Sequence, residues 1–187
     1  MTSRAVPLGR VPAGRLAMWW LIASEIAIFG GLIACYLLYR MRHPEWAELA
    51  SHTSTPLGAL NTLVLLSSSL TAVLAHQAAT RHKLGKVTRY LSLTLLGGLT
   101  FLLVKAVEYS TEIHHGYTIT SGLFWSFYYS LTGLHALHVV AGMTAIFVVM
   151  QAARKGLHLH RVEMVGLYWH FVDLVWIFLF PLLYVAR

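Results

Sequence analysis

Residues 163–185 read EMVGLYWHFVDLVWIFLFPLLYV, a long apolar run interrupted inside by His170 and Asp173. A helix needs about 20 predominantly apolar residues to cross the hydrocarbon core of a bilayer, and this run meets that requirement. Four further stretches also qualify, at about 16–39, 57–79, 90–109 and 121–152. The sequence therefore predicts an all-α, polytopic membrane helix bundle with five transmembrane helices in one membrane domain, 1–187.

The composition excludes the ordinary soluble classes of protein. Hydrophobic residues make up 57% of the chain and charged residues 11%, whereas a soluble domain carries about 25% charged residues. The net charge of +7 could indicate nucleic acid, but the basic residues lie at the ends of apolar runs, as membrane proteins require. We therefore expect no nucleic-acid partner. The single cysteine, Cys35, can form neither an intrachain disulfide nor a thiolate metal site alone.

Short polar connections separate the five spans. They hold Arg40 to Pro44, with Pro56 just before the second span, and residues 81–89, 111–120 and 154–161. Glycine and proline commonly mark helix ends, so we expect Gly85 and Gly116 to be turn residues.

The distribution of lysine and arginine predicts the direction of insertion, because these residues are enriched in cytoplasmic loops. Ten of the fourteen lie on the side of the N-terminus, three lie on the other side, and Lys105 lies within a span. The ten are Arg4, Arg10, Arg15, Arg81, Lys83, Lys86, Arg89, Arg154, Lys155 and Arg161, and the three are Arg40, Arg42 and Arg187. We therefore expect a cytoplasmic N-terminal tail, 1–15, and an outside C-terminus. The first span is too long for a cleaved signal peptide and is expected to be retained.

Several ionisable residues fall inside the spans, where hydrocarbon makes them costly. They are Glu25, His76, Lys105, Glu108, His135, His138, His170 and Asp173. Counting about 1.5 Å of rise per residue from the charged span ends predicts two layers. The deeper layer holds Glu25, His170 and Asp173, and the layer nearer the outer face holds Lys105, Glu108, His135 and His138.

Three pairs among these residues have i,i+3 spacing and so share a helix face. Lys105 and Glu108 are expected to form an internal ion pair, which reduces their desolvation cost. We expect Asp173 to bond His170, or both to bond polar groups on the first span. Two imidazoles on one face lack the further ligands that a metal site needs, so structural hydrogen bonding is favoured over metal ligation.

Glu25, Arg89, Arg154 and Lys155 each allow two interpretations. The Glu25 carboxyl either holds helices in register or belongs to a proton path. The three basic residues either set the orientation of the chain or bind anionic lipid head groups.

Five motifs, one in each span, resemble those of a known family. They are Ser24-Glu25, Asn61-Thr62 with Ala75-His76, Ala106 to Tyr109 (AVEY), Thr132 to Gly142 (TGLHALHVVAG) and Tyr168 to Trp176 (YWHFVDLVW). In this order they resemble subunit III of haem–copper terminal oxidases, in its short five-helix form. The YWHFVD run is the most specific of the matches.

The resemblance implies a non-catalytic subunit beside catalytic subunit I, with subunit II as a further partner, in a bacterial inner-membrane complex that reduces oxygen and pumps protons. Haem and copper are implied in subunit I and none in this chain. Implied roles are stabilising subunit I, supporting proton uptake and holding structural phospholipids. Longer members have seven spans, of which this chain resembles the last five. A larger respiratory supercomplex is a further implied assembly.

Residue by residue, Glu25 matches the family's buried glutamate and Glu108 its outer-half glutamate. The residues that match its internal polar network are His135, His138, His170 and Asp173. Lys105 departs from the family pattern, where a polar and often uncharged residue is expected.

Alternatives remain at this point. The electron donor of the implied oxidase is open between cytochrome c and quinol, and a nitric oxide reductase has a similar short partner subunit. Other classes are a free-standing haem-binding cytochrome that uses His135, His138 or His170, and a proton transporter that uses Glu25.

Overall fold

Helices dominate residues 13–185, the part of the chain that the computed structural model describes. They are α1 (Ala13–Arg40), α2 (Trp46–Ser51), α3 (Thr55–Thr80), α4 (Leu84–His114), α5 (Leu123–Arg154) and α6 (Arg161–Phe180), followed by a π-helical turn, Pro181–Val185. All except α2 are long and apolar enough to cross a membrane. The predicted all-α membrane bundle with five spanning helices is therefore confirmed. The short helix α2, inside the first connection, was not predicted.

Helices α3 to α6 form the core of the bundle, and α1 lies at its side. Helix α3 packs against α4 and α6, α5 packs against the same two helices, and α1 packs mainly against α5 and α6. In the most apolar stretch of α6, 50% of the residues are buried, compared with 17% in α1. Helix α6 is therefore the centre of the bundle, and α1 leaves most of its apolar surface uncovered by this chain.

The turn after α3 differs from the prediction. A left-handed residue follows the helix, as in a Schellman motif, but that residue is His82 at φ 52° and not a glycine. The amide of Lys83 donates to the carbonyl of Ala78, and the amide of His82 to that of Ala79, each at 3.0 Å. Gly85 is therefore not the turn residue, because α4 has already begun at Leu84.

The next helix end follows the expected chemistry but comes later than predicted. Helix α4 continues to His114, and Gly116, at φ 86°, takes the left-handed position just beyond it. Residues 111–114, which were expected in the loop, are therefore helical. The helix extends past the apolar run from which the end of the span was predicted. Gly156, at φ 72°, ends α5 in the same way.

An ion pair shows which helix ends lie together. Arg15 at the start of α1 contacts Glu163 at the start of α6, with 2.7 Å between Nη2 and Oε1. The turns α3–α4 and α5–α6 therefore lie at this same end of the bundle. Arg4, Arg10 and Arg187, which contribute to the predicted orientation, lie outside the described residues.

The π-helical turn that follows α6 is bonded to the end of α1, at the side of the bundle away from the Arg15–Glu163 ion pair. Pro181 lacks an amide hydrogen and cannot continue the α-helical ladder, and terminal carbonyls need partners other than the helix itself. The carbonyl of Leu182 accepts bonds from the Tyr36 hydroxyl at 3.1 Å and from Arg40 at 3.2 Å. Similar bonds join Thr53 to Leu183 and Thr55 to Tyr184. Side chains of residues 36–55 thus cap the π-helical turn.

Candidate functional site

Lys105 is the centre of the most deeply buried polar cluster. Its Nζ donates to Glu108 Oε2 at 3.0 Å, to the Tyr128 hydroxyl at 3.1 Å and to the Tyr184 hydroxyl at 2.7 Å. Only 3% of the lysine side chain and 1% of the glutamate side chain are exposed. The i,i+3 pair expected from the sequence is thus present, and all three ammonium hydrogens have an acceptor.

Aromatic rings complete the environment of Lys105. Its Nζ lies 4.8 Å from the ring centroid of Tyr109, 5.0 Å from Tyr128, 5.6 Å from Trp176 and 5.4 Å from Tyr184. Rings at these distances attract a cation electrostatically. The Tyr128 hydroxyl also donates to Glu108 Oε1 at 2.8 Å. Sequence reasoning missed Tyr128 and Tyr184, because nothing in a single helix indicates which distant tyrosine reaches a buried lysine.

Two buried ionisable residues lie beside this cluster. Glu112, one turn beyond Glu108, was missed because the third span was expected to end near Tyr109. Its Oε2, and both ring nitrogens of His135, have no hydrogen-bond partner among the described residues. The His135 ring packs instead against Phe101 and Trp176, with centroids 5.3 Å and 5.2 Å away.

Glu25 and His138 form a second cluster between α1 and α5. His138 Nε2 lies 2.8 Å from Glu25 Oε2, and His138 Nδ1 lies 2.8 Å from the carbonyl of Leu134. A carbonyl can only accept, so Nδ1 carries a hydrogen. The other ring nitrogen therefore either donates to a carboxylate or accepts from a carboxylic acid, and the two side chains share one proton.

The predicted layering is wrong for Glu25, which contacts His138 rather than His170 or Asp173. Helix α5 has 32 residues, which at 1.5 Å per residue is about 48 Å, well beyond a hydrocarbon core of about 30 Å. The depth of His138 was counted from Arg154, the last residue of α5. This count therefore places His138 too far from Glu25 along the membrane normal.

A third cluster joins α6 to α3. His170 Nδ1 bonds the Ser69 hydroxyl, and Ser69 also interacts with the Asp173 carboxyl. Oδ1 of Asp173 has no partner among the described residues. The expectation that Asp173 bonds His170, or that both reach the first span, is therefore wrong. The polar partner of both side chains is Ser69 on the neighbouring core helix α3.

A cavity of about 250 Å³ opens between α1, α3 and α6 beside this third cluster. His170 and His76 line it, and the Arg15–Glu163 ion pair lies at its edge. The sequence places His76 inside a span and predicts no partner for it, and within residues 13–185 the structure shows no hydrogen bond to this side chain.

The internal histidines lie in separate clusters. Across residues 13–185, no group of three or more histidine, cysteine, aspartate or glutamate side chains could hold a metal ion. His138 and His170 each make a polar contact between helices. His135 has no hydrogen bond among the described residues and packs between aromatic rings, so the structural hydrogen bonding expected of it is not found.

The three basic residues predicted as candidate lipid contacts are all exposed at one end of the bundle. Arg89 lies near the start of α4, Arg154 is the last residue of α5, and Lys155 follows it. Arg154 Nη1 approaches Gln151 at 3.4 Å.

Known proteins resemble this chain along nearly its whole length. The family model described as cytochrome c oxidase subunit III matches residues 11–186. Cytochrome c oxidase subunit 3 of Corynebacterium diphtheriae is 38% identical, over 87% of this chain and 83% of that protein. The same subunit of Bacillus subtilis is 33% identical, over 90% of this chain and 84% of that protein.

A third relative covers the chain more completely. The probable cytochrome c oxidase subunit 3 of Mycobacterium leprae is 36% identical, over 100% of this chain and 95% of that protein. The match to the family model, over residues 11–186, spans all five membrane-spanning helices and the three polar clusters between them. The chain therefore belongs to the cytochrome c oxidase subunit III family.

Proposed function

We propose that this chain is the non-catalytic subunit III of a respiratory haem–copper oxidase and that it stabilises catalytic subunit I. The observation that carries the proposal is the family match over residues 11–186. Membership of this family implies a complex with other oxidase subunits. In the proposed assembly subunit I holds haem and copper, and subunit II is a further partner.

The exposed surface of α1 supports association within the membrane. Trp19 and Trp20 are 58% and 71% exposed, and Ile26 and Leu38 are each 58% exposed. A helix whose apolar residues are mostly uncovered by its own chain needs lipid or another subunit around it. In the proposed oxidase, subunit I and membrane lipid cover the apolar faces of the bundle.

The Glu25–His138 pair supports a role in proton uptake. The Glu25 carboxyl and the His138 imidazole lie 2.8 Å apart, within hydrogen-bond distance. A proton shared by these two groups can move from one to the other. In this proposal the pair assists uptake by the oxidase, while the same contact fixes α1 against α5. Arg89, Arg154 and Lys155 would contact the head groups of structural phospholipids.

The proposed location is the bacterial inner membrane, with the N-terminus in the cytoplasm. The bacterial sources of the relatives support the membrane assignment. Arg15 and the turns α3–α4 and α5–α6, which carry most of the basic residues, lie at one end of the bundle, and this arrangement supports the orientation. The names of the relatives favour cytochrome c over quinol as the electron donor.

Gentle detergent purification through a tag on this chain tests the proposed function. We expect larger subunits with a haem spectrum to co-purify, and oxygen consumption with reduced cytochrome c. An untagged strain is the control for non-specific capture. Activity with quinol alone would contradict the proposed donor, and purification of the chain without other subunits and without haem would contradict the oxidase assignment.

A further inference from the structure

We propose that a cleft between the end of α3 and the start of α4 binds a phosphate group, presented by an anionic phospholipid. This basic cleft has a volume of about 150 Å³ and is lined by Leu74, Gln77, Arg81, Lys83, Lys86 and Tyr90. The inference deepens the lipid-binding part of the proposed function and rests on that part alone. It names a site that differs from Arg89, Arg154 and Lys155.

The helix faces explain why these side chains converge. Leu74, Gln77 and Arg81 recur at i, i+3 and i+7 along α3, and Lys83, Lys86 and Tyr90 follow the same spacing into α4. Residues at this spacing lie on one side of a helix. The two antiparallel helices therefore present these two faces to the same cleft.

The cleft lies at one end of the closely packed pair of helices α3 and α4. A Cβ atom added to Gly97 would lie 2.6 Å from the Cβ of Ser68, so the two backbones approach closely. The Schellman bonds at Ala78 and Ala79 occupy terminal carbonyls of α3. The start of α4 adds the partial positive charge of a helix N-terminus.

Within residues 13–185, no acidic side chain pairs with the three cations of the basic cleft. The chain has 7 acidic residues, and Glu163 is the one at this end of the bundle. It is already paired with Arg15 at 2.7 Å. Five of the others lie inside the spans or at the opposite end, and Glu112 is buried on α4 near that opposite end. Arg81, Lys83 and Lys86 are all exposed, so their charges are available to an anion from outside the chain.

The cleft has the polarity of an amphiphile's binding site. Arg81 and Lys83 lie at the exposed end, whereas Leu74, two turns earlier on α3, lies toward the middle of the membrane-spanning helix. A phospholipid would place its phosphate among the cations, where Gln77 and the Tyr90 hydroxyl can also donate hydrogen bonds. Its acyl chains would continue past Leu74 into the bilayer. A free phosphate would use the same cations without that apolar contact.

The test compares phospholipid retention by two charge-matched triple variants, each in the full chain and in the complex with which it purifies. One variant is Arg81→Gln, Lys83→Gln, Lys86→Gln in the basic cleft. The control is Arg4→Gln, Arg10→Gln, Arg161→Gln, which removes the same charge from the predicted cytoplasmic side at residues outside the cleft. Phosphatidylglycerol and phosphatidylcholine nanodiscs supply the lipid, and native mass spectrometry after delipidation counts what remains bound.

We expect the cleft variant to lower phosphatidylglycerol affinity about tenfold or more, because each basic residue near an anionic surface adds to the attraction. The control variant should lower it less than about twofold, and added salt should weaken retention by the wild type. An equal loss in both variants would overturn the proposal, because general surface charge would then explain the binding. Unchanged retention in the cleft variant, with an unchanged thermal midpoint, would also overturn it.

Two further measurements distinguish a lipid from a soluble phosphate, and failure of the cleft proposal from failure of the proposed function. Millimolar inorganic phosphate that binds the wild type but not the cleft variant, without retention of phosphatidylglycerol, would support the phosphate site and assign it to a soluble ligand. A wild type that binds neither would contradict both the site and the proposed lipid binding. The haem spectrum of the same preparation tests the oxidase assignment separately.

Discussion

Nε2 of His138 lies 2.8 Å from Oε2 of Glu25, and this contact is the polar link between the peripheral helix α1 and the core helix α5. Both side chains are mostly buried, at 14% and 13% exposure. We expect Glu25→Leu to destabilise the bundle by about 1–3 kcal/mol, because it leaves the imidazole without its partner. Glu25→Gln keeps a hydrogen-bonding group and should assemble normally. Thermal unfolding in detergent measures both, and equal midpoints for the two variants would contradict the expectation.

The same pair gives a prediction for activity. If the shared proton assists uptake, Glu25→Gln should assemble with normal haem content but lose oxygen-reduction activity faster during continuous turnover. The amide cannot release a proton as a carboxyl does. Steady-state oxygen consumption against time measures the effect, with Glu163→Gln at the membrane edge as the control. An unchanged decay rate would indicate that Glu25 is structural only.

Lys105 and Glu108 should be strongly coupled. Lys105→Met leaves a buried carboxylate without its cation and should cost about 3–5 kcal/mol, whereas the double change Lys105→Met, Glu108→Gln should recover much of that loss. A double-mutant cycle on thermal unfolding gives the coupling energy. Lys155→Met, at an exposed lysine, should change stability little. Additive losses in the cycle would show that the ion pair does not stabilise the bundle.

Gly98 should not accept a larger side chain. A Cβ at this position would lie 2.7 Å from the Trp169 ring and 2.9 Å from Met143 Sδ, and overpacking of a core commonly costs about 1–3 kcal/mol. Gly98→Ala should therefore lower the thermal midpoint. Gly30→Ala is the matched control, because nothing lies within 4 Å of its added Cβ and alanine favours a helix interior. An equal response of the two variants would contradict this packing.

His82 occupies a position suited to glycine. Its φ of 52° is left-handed, which costs a residue with a Cβ roughly 1–2 kcal/mol. Part of the gain from glycine is offset by its greater freedom in the unfolded chain, so His82→Gly should stabilise the protein by about 0.5–1 kcal/mol. Lys155→Gly, at φ −90°, should not stabilise it. A lower thermal midpoint for His82→Gly would show that the imidazole itself contributes at this turn.

The five spans and the Lys105–Glu108 pair could be predicted because each depends on local information. A span needs only a long apolar run, and an i,i+3 pair needs only a regular helix. The partners of Glu25 and His170 could not be predicted, since they depend on how separate helices cross. Distances along one helix do not give depth when α5 extends well past the membrane core.

Glu112 shows a second reason for failure. The apolar run that defined the third span ends near Tyr109, but the helix continues to His114. Hydropathy identifies where a helix meets hydrocarbon and gives no signal for a further turn beyond it, such as the turn in which Glu112 is buried among exposed neighbours. Tyr128 and Tyr184 illustrate the same limit, because a tyrosine in a span has the same local pattern whether it packs or bonds a cation.

The capping of Leu182 by Tyr36 and Arg40 has a consequence for the order of assembly. Helix α1 is synthesised before α3 and α4, yet its packing partners α5 and α6, and the carbonyls that its far end bonds, are synthesised after them. The far end of α1 therefore gains this contact only after four further spans, α3 to α6, have been made. The contact joins helices that are synthesised far apart in time, so truncation before Pro181 should leave α1 without this attachment.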